Sequence, residues 1–108
     1  MKRTQPLKVM IDASFPMGKA VIHPNDGFDL GLMNTSHPVK VFLNLSLDDF
    51  RESKGDLIQG QIMLENTCRK GCAEISKKCW EKMQCPDNIL IVYDSNKLLL
   101  LSVMNKTH

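Results

Sequence analysis

The chain has 108 residues, with 14 basic and 12 acidic side chains, a formal charge of +2, 43% hydrophobic and 24% charged residues. That composition fills one core in one domain spanning 1–108, and it excludes a disordered or collagen-like chain. The longest apolar runs, Ile89–Tyr93 and Leu98–Leu101, are strand-sized and fall far below the roughly 18 residues a membrane-spanning helix requires, so no membrane association is expected. Pro6, Lys8 and Asp12 interrupt the N-terminal stretch before it becomes the apolar segment of a secretory signal. The expectation is a cytoplasmic protein whose four cysteines are free thiols.

In chain order, Leu7–Ala13 and Lys19–His23 read as strands, separated by a turn at Ser14–Gly18 and stopped by Pro24. Asn25-Asp26-Gly27 reads as a turn, and Phe28–Met33 alternates like a half-buried strand. Val39–Leu45 alternates more clearly still. His-Pro followed by Phe occurs twice, at His23/Phe28 and His37/Phe42, and suggests successive strands entered through similar turns. Ser46-Leu47-Asp48-Asp49 fits a capping box, so a short helix is expected over 47–53, ended by Gly55. Asp56–Leu64 is a further strand, where Gly60 marks a bulge or a bend of the kind found where a sheet curls.

Cys68, Cys72, Ile75, Cys79 and Met83 recur at helical spacing, in a stripe about 80° wide, opposite Arg69, Lys70, Glu74, Lys77, Lys78, Glu81 and Lys82. The spacing predicts one long helix over 67–84, terminated by Pro86. Asn88–Tyr93 and Lys97–Val103 flank the turn Asp94-Ser95-Asn96 and form a C-terminal hairpin over 88–103. The hairpin is either central in the sheet or an edge open to a partner strand, and Met104–His108 reads as a frayed tail. The expected fold is α+β: six or seven strands in a mostly antiparallel curved sheet or small open barrel, with one short and one long helix.

The cysteines on that stripe read as small core residues. The spacing C-x3-C-x6-C-x5-C lacks the CxxC pairs of structural zinc sites, so neither a metal nor another cofactor is assigned. Cys85, beyond the stripe, is the thiol expected to be exposed. His23 and His37 precede prolines in turns and no motif ties them to a thiol, while Asp48 and Asp49 sit where a helix start favours acidic residues. No catalytic set emerges.

Charge is asymmetric. Residues 67–108 hold 7 basic and 4 acidic side chains against 7 and 8 in residues 1–66. Trp80, the single tryptophan, borders this basic side, and tryptophan is a favoured interface anchor. The expectation is a non-enzymatic regulator or adaptor. It would bind another protein, an acidic one or a second copy of itself, through Arg69, Lys70, Lys77, Lys78, Trp80 and Lys82 or through the C-terminal hairpin. The alternative is a small-barrel binder of single-stranded nucleic acid, since Lys54–Ile62 is similar to the strand starts of such barrels by fold analogy alone. A pI of about 8.4 and six aromatic residues favour the first reading.

Overall fold

The computed structural model describes residues 1–103, so the expected tail at Met104–His108 lies outside the described residues. The elements in order are β1 (Lys2–Arg3), β2 (Leu7–Asp12), β3 (Lys19–Ile22), α1 (Pro24–Asp29), β4 (Ser36–Leu43), α2 (Leu47–Arg51), β5 (Ile58–Leu64), β6 (Cys72–Ser76), α3 (Lys77–Lys82), β7 (Asn88–Asp94) and β8 (Lys97–Val103). Hydrogen bonding runs β7-β2-β6-β3-β5-β4-β8, and β8 pairs again with β7, so seven strands close a barrel and β1 attaches to β7. The barrel agrees with expectation, but it is closed and mixed: β2–β6, β3–β5 and β4–β8 are parallel. Parallel partners lie far apart in the chain and share no turn, so no local pattern announces them. The final hairpin is no edge, because β8 sits between β4 and β7.

The long helix over 67–84 does not exist. Gly71 has φ +84°, a left-handed conformation that ends one local element and starts the next. Residues 72–76 then form the central strand β6, and Ser76 accepts a bond from the Cys79 amide at 3.0 Å to cap the six-residue α3. The apparent stripe divides between two cores. Cys68 and Cys72 pack outside the barrel with Val21, whereas Ile75, Cys79 and Met83 pack in the main core.

Phe28–Met33 also departs from expectation. His23 Nδ1 accepts from the Asn25 amide at 3.0 Å and Pro24 opens a helix, so Asn25-Asp26-Gly27 is helical and α1 replaces the expected strand. His23-Pro24 therefore begins a helix while His37-Pro38 lies within β4, and the His-Pro repeat has no structural counterpart. The helix after Ser46 does form, its hydroxyl accepting from the Asp49 amide at 3.1 Å.

A different repeat organises the barrel. The β3–β6 register pairs Ala20 with Ile75 and Ile22 with Ala73, as a two-fold axis between these strands demands. The same exchange relates β2 to β5: the Lys8 amide donates to the Gly71 carbonyl at 2.8 Å, and the Gln61 amide donates to the Gly18 carbonyl at 3.0 Å. Residues 7–30 thus correspond to 60–83 without a gap. Met10/Met63, Gly18/Gly71, Ala20/Ala73 and Ile22/Ile75 are identical, and Val9/Ile62, Ile11/Leu64, Asp12/Glu65 and Ser14/Thr67 are conservative.

Ala20, Ile22, Ala73, Ile75, Val39, Val41, Leu98 and Leu100 fill the interior. Outside, α2 covers Phe42, Val92 and Leu99 with Phe50, whose ring meets Phe42 edge-on at 5.9 Å. Lys97 clamps that helix, its ammonium donating to the carbonyls of Phe50 and Arg51 at 2.9 and 3.0 Å. Strands covered on both faces explain why β8 offers leucine to both sides.

Candidate binding cleft beside α3

The two crossover loops, 13–18 and 65–71, run over the barrel beside the helices of the opposite repeat. In one half the loop is fastened. Asp26 on α1, only 7% exposed, accepts from the Gly71 amide at 2.8 Å. Cys68 of the same loop is wholly buried, its thiol near the carbonyls of Val21 and Cys72 at 3.6 Å. In the other half the position of Asp26 is held by Cys79, whose side chain turns into the main core. Among the described residues no hydrogen bond joins the 13–18 loop to α3. A cleft of about 490 Å³ lies between them, lined by Phe15, Pro16 and Met17 on the loop side and by Lys77, Lys78 and Glu81 on the helix side. Phe15 is half-buried and carries the Lys19 ammonium 4.3 Å from its ring centre.

The basic residues singled out by sequence separate in space. Lys77 and Lys78 share this cleft. Lys82 lies on another of about 440 Å³ with Leu43, Leu45, Asp56 and Ile58. Arg69 lines a third of about 250 Å³ with Lys8, Met10, Cys72 and Glu74, and Lys70 is exposed on the turn before β6. Among the described residues the ion pairs are Arg51–Asp48 and Lys54–Glu52, so none of these five cations is neutralised by one. Trp80 is half-buried against the main core and its Nε1 donates to the Pro86 carbonyl at 2.9 Å. The ring thereby braces the turn from α3 into β7.

The thiols expected to be dry are dry, with Cys68, Cys72 and Cys79 at 0%, 7% and 1% exposure, and Cys85 is exposed. Burial, followed by the neighbouring Glu74 carboxylate, pushes the Cys68 thiol up to about 12. Burial alone pushes Cys79 up to about 11. Protonated thiols at these positions are poor nucleophiles and poor ligands at neutral pH. Both internal histidines hold local structure, His23 as the cap of α1 and His37 Nε2 at 3.0 Å from the Asn34 carbonyl. Among the described residues no three His, Cys, Asp or Glu side chains gather as a metal site, and no helix is long and apolar enough to cross a membrane.

Sequence reading missed Phe15, Pro16 and Met17, which look like an ordinary turn. The discoverable signal was the correspondence of Met10–Gly18 with Met63–Gly71. No family model, curated protein or solved structure matches this chain.

Proposed function

We propose that this protein is a non-enzymatic regulator or adaptor of the cytoplasm that works by binding another protein through the basic side of α3. One observation carries the reading: Lys77 and Lys78 stand on one cleft with the apolar side chains of Phe15, Pro16 and Met17. Apolar surface beside unpaired charge supplies both halves of a recognition surface, burial for affinity and charge for orientation. The inert state of the buried thiols and the structural use of both internal histidines support binding over chemistry. Arg69, Lys70 and Lys82 lie outside the cleft and widen the positive field through which an acidic partner approaches. Trp80 serves this surface by holding the α3–β7 turn.

The test is cross-linking capture from the native cell with the unaltered chain and with Lys77→Glu/Lys78→Glu, both positions being exposed. Proteins held by the first and lost by the second are the expected result. An unchanged set of captured proteins refutes the assignment to this face.

A further inference from the structure

We infer that the cleft between the 13–17 loop and α3 receives an extended acidic segment of the partner, anchored by one bulky apolar side chain. This rests on the protein-binding reading and assigns the chemistry of what is bound. The two-fold repeat supplies a comparison within the molecule. The same loop and the same helix meet twice, and in one meeting the loop is drawn down by the Asp26–Gly71 bond until Cys68 is wholly buried. In the other, Cys79 stands in the carboxylate's place and the loop's largest side chain, Phe15, stays half-exposed beside the cleft. The barrel ties this junction with a side-chain bond once and leaves it untied once, where the sequence has two lysines in place of Pro24 and Asn25 of the related helix.

Charge selects the occupant. Lys77 and Lys78 share the helix side of the cleft with a single carboxylate, Glu81, and Lys19, whose charge also acts on the Asp12 carboxylate, adds a third ammonium at Phe15. Exposed ion pairs steer and orient but contribute little holding energy, so the apolar wall of Phe15, Pro16 and Met17 must supply the anchor. The cleft's volume of about 490 Å³ falls in the range of pockets that enclose ligand groups, about 300–1,000 Å³. A single-stranded nucleic acid fits less well. It would need several stacking rings along a continuous basic groove, whereas Phe15 is the one ring lining this cleft and the helix side carries the Glu81 carboxylate.

The experiment is an NMR titration of the isotope-labelled full chain with three probes: a peptide of glutamates around one phenylalanine, the same peptide with alanine in its place, and oligothymidylate. Saturable shifts at residues 13–18 and 77–81 with the phenylalanine peptide are expected. Binding should weaken about tenfold or more with the alanine peptide, as loss of one buried apolar side chain implies, and about tenfold or more with Lys77→Glu/Lys78→Glu. Shifts confined to other surfaces, equal binding of the alanine peptide, or tighter binding of oligothymidylate each overturn the inference. If capture depends on Lys77 and Lys78 while the acidic peptide fails, the cleft chemistry is wrong and the protein-binding reading stands. If capture does not depend on them, that reading falls as well.

Discussion

In the α1 half of the barrel a buried carboxylate ties the neighbouring crossover loop by a hydrogen bond; in the α3 half a buried thiol occupies the same position, and the loop rests on apolar packing of Met17 and Phe15 instead. The backbones around the two positions correspond residue for residue, from the strand register to the paired bonds at Gly18 and Gly71. Asp26 against Cys79 therefore separates a junction tied by a side-chain hydrogen bond from one without it, and Phe15 against Cys68 and Lys77-Lys78 against Pro24-Asn25 add to the difference. The first turns of the helices differ in the same sense, with Asp26 in α1 and no acidic residue in α3. Symmetry in the scaffold makes departures from symmetry informative, because packing demands alone would have filled both junctions alike.

The largest effect that tests this comparison falls on the glycines. A Cβ on Gly18 would lie 2.7 Å from the Gly60 Cα and would strike the Gln59 carbonyl, whereas one on the related Gly71 meets nothing within 4 Å. Backbone cannot yield as a side chain can, so Gly18→Ala is expected to cost about 3 kcal/mol or to prevent folding. Gly71→Ala carries only the strain of its φ of +84°, about 1–2 kcal/mol. Urea denaturation of both variants measures the difference, and equal losses would remove the asymmetry at the crossings.

Next is the fastening itself. Asp26→Ala leaves the Gly71 amide without its acceptor and should cost about 1–3 kcal/mol, most of it restored in Asp26→Asn, which keeps an oxygen there. Accelerated exchange of the Gly71 amide in the alanine variant would locate the loss, and an unaffected amide would disprove the fastening. A pH effect follows from the buried thiols. Their folded values are raised above the ordinary 9, to about 12 for Cys68 and about 11 for Cys79. Their contribution is thus fully present below about pH 9 and is lost as pH rises through the folded values. Melting temperatures recorded from pH 8 upward should fall in that window and fall less in Cys68→Ala/Cys79→Ala.

Smaller still are two local effects. Alkylation of the native chain should modify Cys85 rapidly and Cys68, Cys72 and Cys79 only on unfolding, as mass spectrometry of timed samples will show. Hydrogen bonds from the Ser14 hydroxyl and amide hold the Asp12 carboxyl below the usual aspartate range. The turn they form persists above that range and loosens as pH falls through the lowered value. The Ser14 amide resonance is the reporter, and a position independent of acid would contradict the bond.

Legibility in the sequence followed the range of the interactions. The 94–96 turn, the Ser46 cap and the alternation of β5 are set by neighbours within a few residues, and each was readable. Burial of Cys68, Cys72 and Cys79 was also readable, although from the wrong element. A loop cysteine, a strand cysteine and a helix cysteine fell by spacing onto one imagined helical face. The parallel pairings and closure of the ring rest on contacts between β2 and β6, β3 and β5, and β4 and β8, which adjacent residues do not encode. The cleft was illegible for a related reason: Phe15–Met17 and Lys77–Lys78 meet only because β2 and β6 run side by side.

The place of β8 has a consequence for biosynthesis. The two-fold exchange relates β2 to β5 and β3 to β6, β4 and β7 are their outer neighbours, and β8, at Lys97–Val103, is the odd strand wedged between β4 and β7. Because β2 waits for β6 and β3 waits for β5, neither repeat can finish alone, and a chain leaving the ribosome in order must keep its seam unsealed until the last strand emerges. Long-range closure of this sort slows folding and leaves apolar strand edges accessible in the nascent chain. The final seven described residues thus act as the latch of the ring, and truncation before Lys97 should yield an aggregating product rather than a smaller domain.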